Sequence, residues 1–331
     1  MSATAVVLSA GALGGALGTW LVRGLARRAG FVAKPNPIVP QHRAPTAYLG
    51  GVGIAVGIAT TMLLVPDTCG RAFVLPAAGY LALGLWDDLR PLRPLAKLIF
   101  QLALAGLAAW LARGGGPSGI GALDAALRVA WIVLLVNAVN VTDVCDGLAG
   151  GIAAIGFTFL GSWNPGMRPL AWGLAAACAG FLVFNRPRAS IFMGDAGSHL
   201  LGYALAWTSF PLLGRWPDGL MAVAAVAPFL FEVTFLIVVR TRRGMAWWRG
   251  SPDHFALRMQ AAGLSRRRTV ALSWAAAAVV GVLASWLPSA SPVSHAVFGA
   301  GLVAASGAFA AWLLRHDVHV GSLAGRAAEP S

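Results

Sequence analysis

The sequence predicts an all-α, polytopic integral membrane protein of about 10–11 transmembrane helices, with its amino terminus outside and its carboxyl terminus in the cytoplasm. Three observations predict it. The 331-residue chain is 58% hydrophobic and only 11% charged, with a mean hydropathy of +0.72, whereas soluble domains carry about 25% charged residues. Its apolar residues fall in runs close to the ~20 needed to cross a bilayer. Its cations gather in alternate loops between those runs.

The runs lie near residues 3–22, 47–66, 72–86, 97–113, 124–141, 148–163, 169–185, 197–214, 219–239, 269–287 and 293–314. The first has no Lys or Arg before it and Arg23 just after it. A secretory signal has the opposite order, so this run is expected to remain as the first helix. One set of alternate loops carries Arg23, Arg27, Arg28, Lys34 and Arg43, then Arg90, Arg93 and Lys97, then Arg186 and Arg188. The same side holds the arginines from Arg240 to Arg268, and finally Arg315 and Arg326. Arg71, Arg113, Arg128, Arg168 and Arg215 map to the other side. The positive-inside rule makes the richer side cytoplasmic, and an odd number of spans then separates the termini.

The acidic residues sort with the cations. Asp87, Asp88, Asp143, Asp146, Asp195 and Asp253 map to cytoplasmic loops or helix ends, and Asp67, Asp124 and Asp218 map outside. Carboxylates near lipid are costly unless paired or metal-bound, so their gathering at one surface is a functional signal. The net charge of +13 would suit a nucleic-acid binder. Its place at the ends of apolar runs fits topology and anionic headgroups better, so no nucleic acid is expected. Cys69, Cys145 and Cys178 lie in separate segments with no metal-ligand spacing, so neither a disulfide framework nor a zinc site is indicated.

Four stretches carry chemistry. Gly84-Leu-Trp-Asp87-Asp88 ends the third run, and Lys97 opens the fourth. Adjacent carboxylates suit Mg²⁺, a hard ion that also takes phosphate oxygens. In Asn137-Ala-Val-Asn140-Val-Thr-Asp143-Val-Cys-Asp146-Gly147, helical steps of three put positions 140, 143 and 146 on one face. A simple helix cap needs one polar residue, and this stripe has several. In Asn185-Arg-Pro-Arg-Ala-Ser-Ile-Phe-Met-Gly194-Asp195-Ala-Gly197-Ser198, Asp195 stands at a helix amino end, where free N–H groups can also receive phosphate. The 240–268 loop has Arg-rich ends, Trp247, Trp248 and Ser251-Pro-Asp253-His254. Its arginines and tryptophans mark an interface equally well.

Together these stretches resemble the polyprenyl-phosphate N-acetylhexosamine-1-phosphate transferases, glycosyltransferase family 4, which includes the undecaprenyl-phosphate GlcNAc-1-phosphate transferases and the phospho-MurNAc-pentapeptide translocases. The resemblance runs from Pro45-Thr-Ala-Tyr-Leu-Gly-Gly through the 240–268 loop. Asp87-Asp88 with Lys97 looks like the family's aspartate-rich motif. The Asn137 to Gly147 stretch, continued by Leu-Ala-Gly-Gly, is similar to its Asn-Ala-Xaa-Asn…Asp…Asp-Gly-Leu signature. Ile191-Phe-Met-Gly-Asp195-Ala-Gly-Ser is close to its Phe-Met-Gly-Asp element. The family's last cytoplasmic loop usually carries an Asp-His-Xaa-His-His cluster or a run of histidines. Here Asp253-His254-Phe255-Ala256-Leu257-Arg258 keeps the first histidine alone, which loosens the link to the peptidoglycan branch.

The resemblance implies phosphoryl transfer: polyprenyl phosphate, expected to be undecaprenyl phosphate, attacks the β-phosphate of a UDP-N-acetylhexosamine and UMP leaves. It implies Mg²⁺, with Mn²⁺ as a substitute, held first by Asp195 with Asp143. It assigns catalytic roles to Asp87, Asp88, Asp143, Asp146 and Lys97, and substrate binding to Asn137, Asn140, Asn185, His254 and Arg258. One transmembrane catalytic domain over residues 1–315 is expected. Its active-site loops are 23–46, 87–97, 142–147, 186–196 and 240–268, and a tail follows over 316–331. The place implied is the bacterial inner membrane, with the site facing the cytoplasm and a homodimer left open. The CDP-alcohol phosphotransferases share an Asp-Xaa-Xaa-Asp-Gly start, but no second aspartate pair follows Gly150 here. An ion-coupled transporter would need acids at mid-membrane, where Glu232 in the ninth run is the one candidate. An inactive relative would be expected to lose the aspartates, and all are kept.

Overall fold

The computed structural model describes residues 2–33, 45–64, 70–112, 116 and 118–318. Lys34 and Arg43 of the expected 23–46 loop lie outside the described residues, as do Asp67, Cys69, Arg113 and the tail from residue 319 on, Arg326 included.

Every apolar run is a helix. They are α1 (Ala3–Arg28), α2 (Gly50–Leu64), α3 (Arg71–Leu89), α4 (Pro94–Leu111), α5 (Gly121–Thr142), α6 (Leu148–Trp163), α7 (Arg168–Asn185), α8 (Gly194–Ser209) and α9 (Asp218–Arg242). After a short α10 (Phe255–Ala261), α11 (Arg266–Ala284) and α12 (Pro292–Leu313) complete the set. Their starts follow from local chemistry. Ser2, Ser265 and Ser291 cap α1, α11 and α12 through side-chain oxygens that accept N–H bonds, and Pro sits in the first turn of α4, α7 and α12, where its missing N–H costs nothing.

The chain is a multi-pass membrane protein. α1, α3, α4, α5, α9, α12 and α11 with the 3₁₀ turn after it are each long and apolar enough to cross a bilayer. α2 and α6 are shorter apolar helices. α8 has only 16 residues and buries nearly all of them. It packs against α2, α3, α5 and α6, so protein and not lipid surrounds it, as expected of a helix buried on all sides. α1 packs on α2 and α7, and α12 lies at the edge beside α9 and α10.

The helical expectation has one small exception. β1 (Val32–Ala33) pairs antiparallel with β2 (Thr46–Ala47), and Ala47 bridges in parallel to Ile191. Main-chain bonds from Phe192 N–H to Ala47 O (2.9 Å), Gly50 N–H to Phe192 O (2.8 Å) and Gly51 N–H to Met193 O (2.8 Å) extend this seam. It fastens the start of α2 to the start of α8, two segments more than 140 positions apart.

Candidate active site

α3 and α8 meet backbone to backbone at Gly84, where a Cβ would run into the carbonyl of Asp195 and the Cα of Ala196. That close approach lays the end of α3 over the start of α8. Asp88 then caps α8 from outside its own helix: Oδ1 accepts the N–H of Asp195 at 2.7 Å and Oδ2 that of Ala196 at 3.1 Å. Gly194 has φ of +74° and packs against the same carboxylate, a conformation that suits Gly.

Asp87 closes the turn between α3 and α4, its Oδ1 accepting the N–H of Leu92 at 2.6 Å. Pro94 then starts α4 and puts Lys97 in the first turn. The Lys97 ammonium lies 2.7 Å from Asp87 Oδ2 and 2.5 Å from Asp195 Oδ2. The one ammonium thus bridges the carboxyl groups of Asp87 and Asp195, two like charges that call for a cation between them. From α5, the Asn140 amide donates to Asp195 Oδ1 at 2.8 Å and to Ser198 Oγ at 3.0 Å. The structure thus brings Asp87, Asp88, Lys97, Asn140 and Asp195 together at one end of the bundle.

Asp143 completes the group. It is the residue after α5, with ψ of 57°. It has no side-chain hydrogen bond or ion pair among the described residues. Burial and the like charges of Asp195, Asp146 and Asp88 push its carboxyl up to about 8. Tyr48, carried in by the β2 seam, lies beside Asp88, and burial together with the charges of Asp88, Asp195 and Asp143 raises its hydroxyl well above the ordinary value.

Several expectations need correction. The stripe of Asn140, Asp143 and Asp146 does not exist, because α5 ends at Thr142 and the chain turns through Asp143–Gly147, with Gly147 at φ of +77°. Asp146 faces the 186–190 loop instead: its Oδ2 accepts the N–H of Arg188 (3.2 Å) and Ala189 (3.1 Å) and lies 3.6 Å from Arg266. The free N–H groups of Asp195 and Ala196 at α8 are taken by Asp88, not left for phosphate. Asn185 is buried and wholly engaged by main chain, accepting from Gly147 N–H (2.9 Å) and donating to Ile191 O (2.9 Å). It orders two loops and does not present itself to a substrate. Arg258 is 1% exposed and is held by Asp253 (2.6 Å) and by the carbonyls of Leu313 and His316. It is a strut between α10 and the end of α12, since a buried guanidinium must spend its donors internally.

Asn137 sits one layer in from the cluster, donating to Gln101 Oε1 at 2.8 Å and to Val133 O. Gln101 in turn meets buried His199 at 3.2 Å. His254 precedes α10, with Nδ1 2.6 Å from Glu232 Oε1. Motif reading missed Tyr48, Gln101, His199 and Arg266 as neighbours of the site. Tyr48 did lie inside a quoted motif, and Gln101 and His199 follow Lys97 and Asp195 by one helical turn.

The donor set is all oxygen apart from Lys97 and Asn140, which fits Mg²⁺ or Mn²⁺ and not a soft metal. Among the described residues no three His, Cys, Asp or Glu side chains form a ready cage. Mg²⁺ does not require one, since it commonly takes one or two carboxylates, waters and the substrate's phosphates. The residues present therefore fit the ion.

Comparison with known proteins identifies the family. Residues 71–212, which hold the whole cluster except Tyr48, match the family described as Glycosyl transferase family 4. The chain is 36% identical over 281 residues to the phospho-N-acetylmuramoyl-pentapeptide-transferase of a Synechococcus species, covering 75% of this chain and 82% of that one. It is 31% identical to the decaprenyl-phosphate N-acetylglucosaminephosphotransferase of Mycolicibacterium smegmatis, over 77% of this chain and 74% of that one. The protein of the same name in Mycobacterium tuberculosis is 30% identical over 89% of this chain and 86% of its own.

Proposed function

The chain belongs to glycosyl transferase family 4, and on that premise we propose that it transfers a sugar-1-phosphate from a UDP-N-acetylhexosamine to polyprenyl phosphate. UMP leaves, and the polyprenyl-diphospho-sugar that remains starts a cell-envelope glycan. The observation that carries the reading is the convergence of Asp87, Asp88 and Asp195 with Lys97 from three helix ends. Beside them stands Asp143, a carboxylate without a partner among the described residues.

In this reading Asp195 and Asp143 hold Mg²⁺, with Mn²⁺ as a substitute. The ion supplies charge neutralisation for the diphosphate and the departing UMP. Lys97, fixed between Asp87 and Asp195, offers a cation to an arriving phosphate, and Asp87 keeps that ammonium in place. Asp88 acts through position, tying α3 to α8 so that Asp195 faces the cluster. Asn140 fixes the rotamer of Asp195 and takes no proton. A general base is not needed, because a phosphate monoester with its second pKa near ~6 is already largely dianionic at neutral pH.

A site at the bundle's end suits both partners, since the acceptor's tail stays in lipid while the nucleotide comes from water. The cation-rich loops on the same side support a cytoplasmic orientation in the bacterial inner membrane. Arg23 and Arg27, for instance, reach Ser190 close by. The ion-coupled transporter has no feature in its favour, because Glu232 is engaged by His254 and by the N–H of Phe255. The two kinds of relative differ in sugar, and the single histidine of the 251–266 segment favours the plain N-acetylhexosamine.

The test is UMP release by the purified protein given Mg²⁺, undecaprenyl phosphate and, in parallel, UDP-N-acetylglucosamine or UDP-MurNAc-pentapeptide. Release with the first alone supports the reading. Release with the second alone moves the chain to the peptidoglycan branch, and release with neither nor with other UDP-hexosamines overturns the proposal.

A further inference from the structure

Glu232 is the one acidic side chain among the described residues with no exposure at all, and it lies within α9, which crosses the membrane. A carboxylate so placed must have its oxygens answered. Both are: Oε1 lies 2.6 Å from His254 Nδ1, and Oε2 accepts the N–H of Phe255 at 3.1 Å. Phe255 is the first residue of α10, so Glu232 caps that helix from a neighbouring one. With the carboxyl oxygen against Nδ1, it is Nε2, on the opposite edge of the ring, that is left for another partner. His254 keeps 13% exposure, and its Nε2 has no partner among the described residues.

The segment that bears this histidine rests on the aspartate turn. Gln260 reaches Cys145 Sγ at 3.4 Å, Arg266 lies 3.6 Å from Asp146, and Trp274 Nε1 donates to Gly147 O at 3.1 Å. The end of α10, Arg266 and α11 therefore back the loop that carries Asp143. Capping a seven-residue helix does not by itself call for a carboxyl group inside a span, because a buried polar pair returns little net stability. A carboxyl group that also fixes a ring angle has another use.

We propose that Glu232 is a positioning residue for donor binding, holding His254 so that Nε2 is presented to the polar groups of the nucleotide sugar beside the aspartate turn. The inference rests on the UDP-sugar reaction proposed above. Glu232→Gln keeps the shape but offers one acceptor oxygen where there were two, so it can no longer hold both the His254 ring and the Phe255 N–H.

The test is steady-state UMP release with UDP-N-acetylglucosamine and undecaprenyl phosphate varied separately, in wild type, Glu232→Gln, His254→Ala and the double variant. Glu232→Gln is expected to raise KM for the nucleotide sugar about tenfold, the size typical of losing a partner that orients a working histidine. KM for the lipid should move far less. In the His254→Ala background the same change should add nothing, because its route runs through the ring. An unmoved nucleotide-sugar KM in Glu232→Gln overturns the inference. So does an equal effect with and without His254, which makes Glu232 a cap and no more. If the Gln variant does not fold, Glu232→Asp, which retains the acceptor one methylene short, is read in its place by the same criteria. A wild type inactive with every UDP-sugar overturns the parent reading and this one with it. An active wild type with an indifferent Glu232 overturns this one alone.

Discussion

The aspartate cluster and the α10 segment are both crowded with charge, yet they handle it in opposite ways. Around α10 every carboxylate has its counterpart: Asp253 takes Arg258 at 2.6 Å and Arg243 at 2.9 Å, and Glu232 takes His254. Around α8 four carboxylates gather near one ammonium that pairs with two of them, Asp87 and Asp195, while Asp88 is held by main-chain N–H groups and Asp143 has no partner among the described residues. A satisfied network holds a shape. An undersupplied one stores attraction for a ligand, and removing water from such a site makes that attraction larger.

The comparison can be broken most sharply at Asp195. Asp195→Asn should cut UMP release about a thousandfold, the scale of removing a group that organises transition-state charge. The same change should lower the unfolding temperature in detergent only modestly, because Asn keeps an acceptor for Asn140 but loses the ion pair with Lys97. Near-normal turnover would take Asp195 out of the metal site.

Arg258→Ala should do the reverse. Leaving Asp253 buried beside one partner fewer costs about 3 kcal/mol, read as a lower unfolding temperature, while the folded fraction still turns over. A variant that unfolds normally but has lost donor affinity would return Arg258 to the substrate-binding group.

The smallest effect concerns pH. The carboxyl of Asp143 moves from an ordinary 3.8 to about 8, so between those values the folded protein holds a proton that the unfolded chain has released. Stability without a divalent cation therefore falls as pH rises through that window. With Mg²⁺ bound in place of the proton the slope should flatten, because the ion favours the charged form. Unfolding temperatures between pH 6 and 8, in EDTA and in Mg²⁺, give the check. A pH-independent difference between the two conditions would separate Asp143 from the cation.

The fold was largely legible, because apolar runs of span length have few alternatives in lipid. α8 was legible as an apolar stretch but not as the buried centre of the bundle, since its lack of a polar face reads the same against lipid as against protein. At the site, Asp87, Lys97 and Asp195 were readable as polar groups where apolar chain was expected. The roles of Asp146, Asn185 and Arg258 were not, because a motif marks which side chains are polar and not which main-chain groups they serve. Asn185 is the clearest case. Its two partners, Gly147 and Ile191, come from different loops. Tyr48 escaped because it reaches Asp88 only through the seam between the starts of α2 and α8.

The touching main chains at Gly84 have a mechanical consequence. Helices joined without intervening side chains lean as a unit, so a thinner or thicker bilayer tilts α3 and α8 together and does not draw Asp87 away from Asp195. The reacting geometry is thereby insulated from the lipid thickness around it, as befits a catalyst whose own substrate is a component of that solvent.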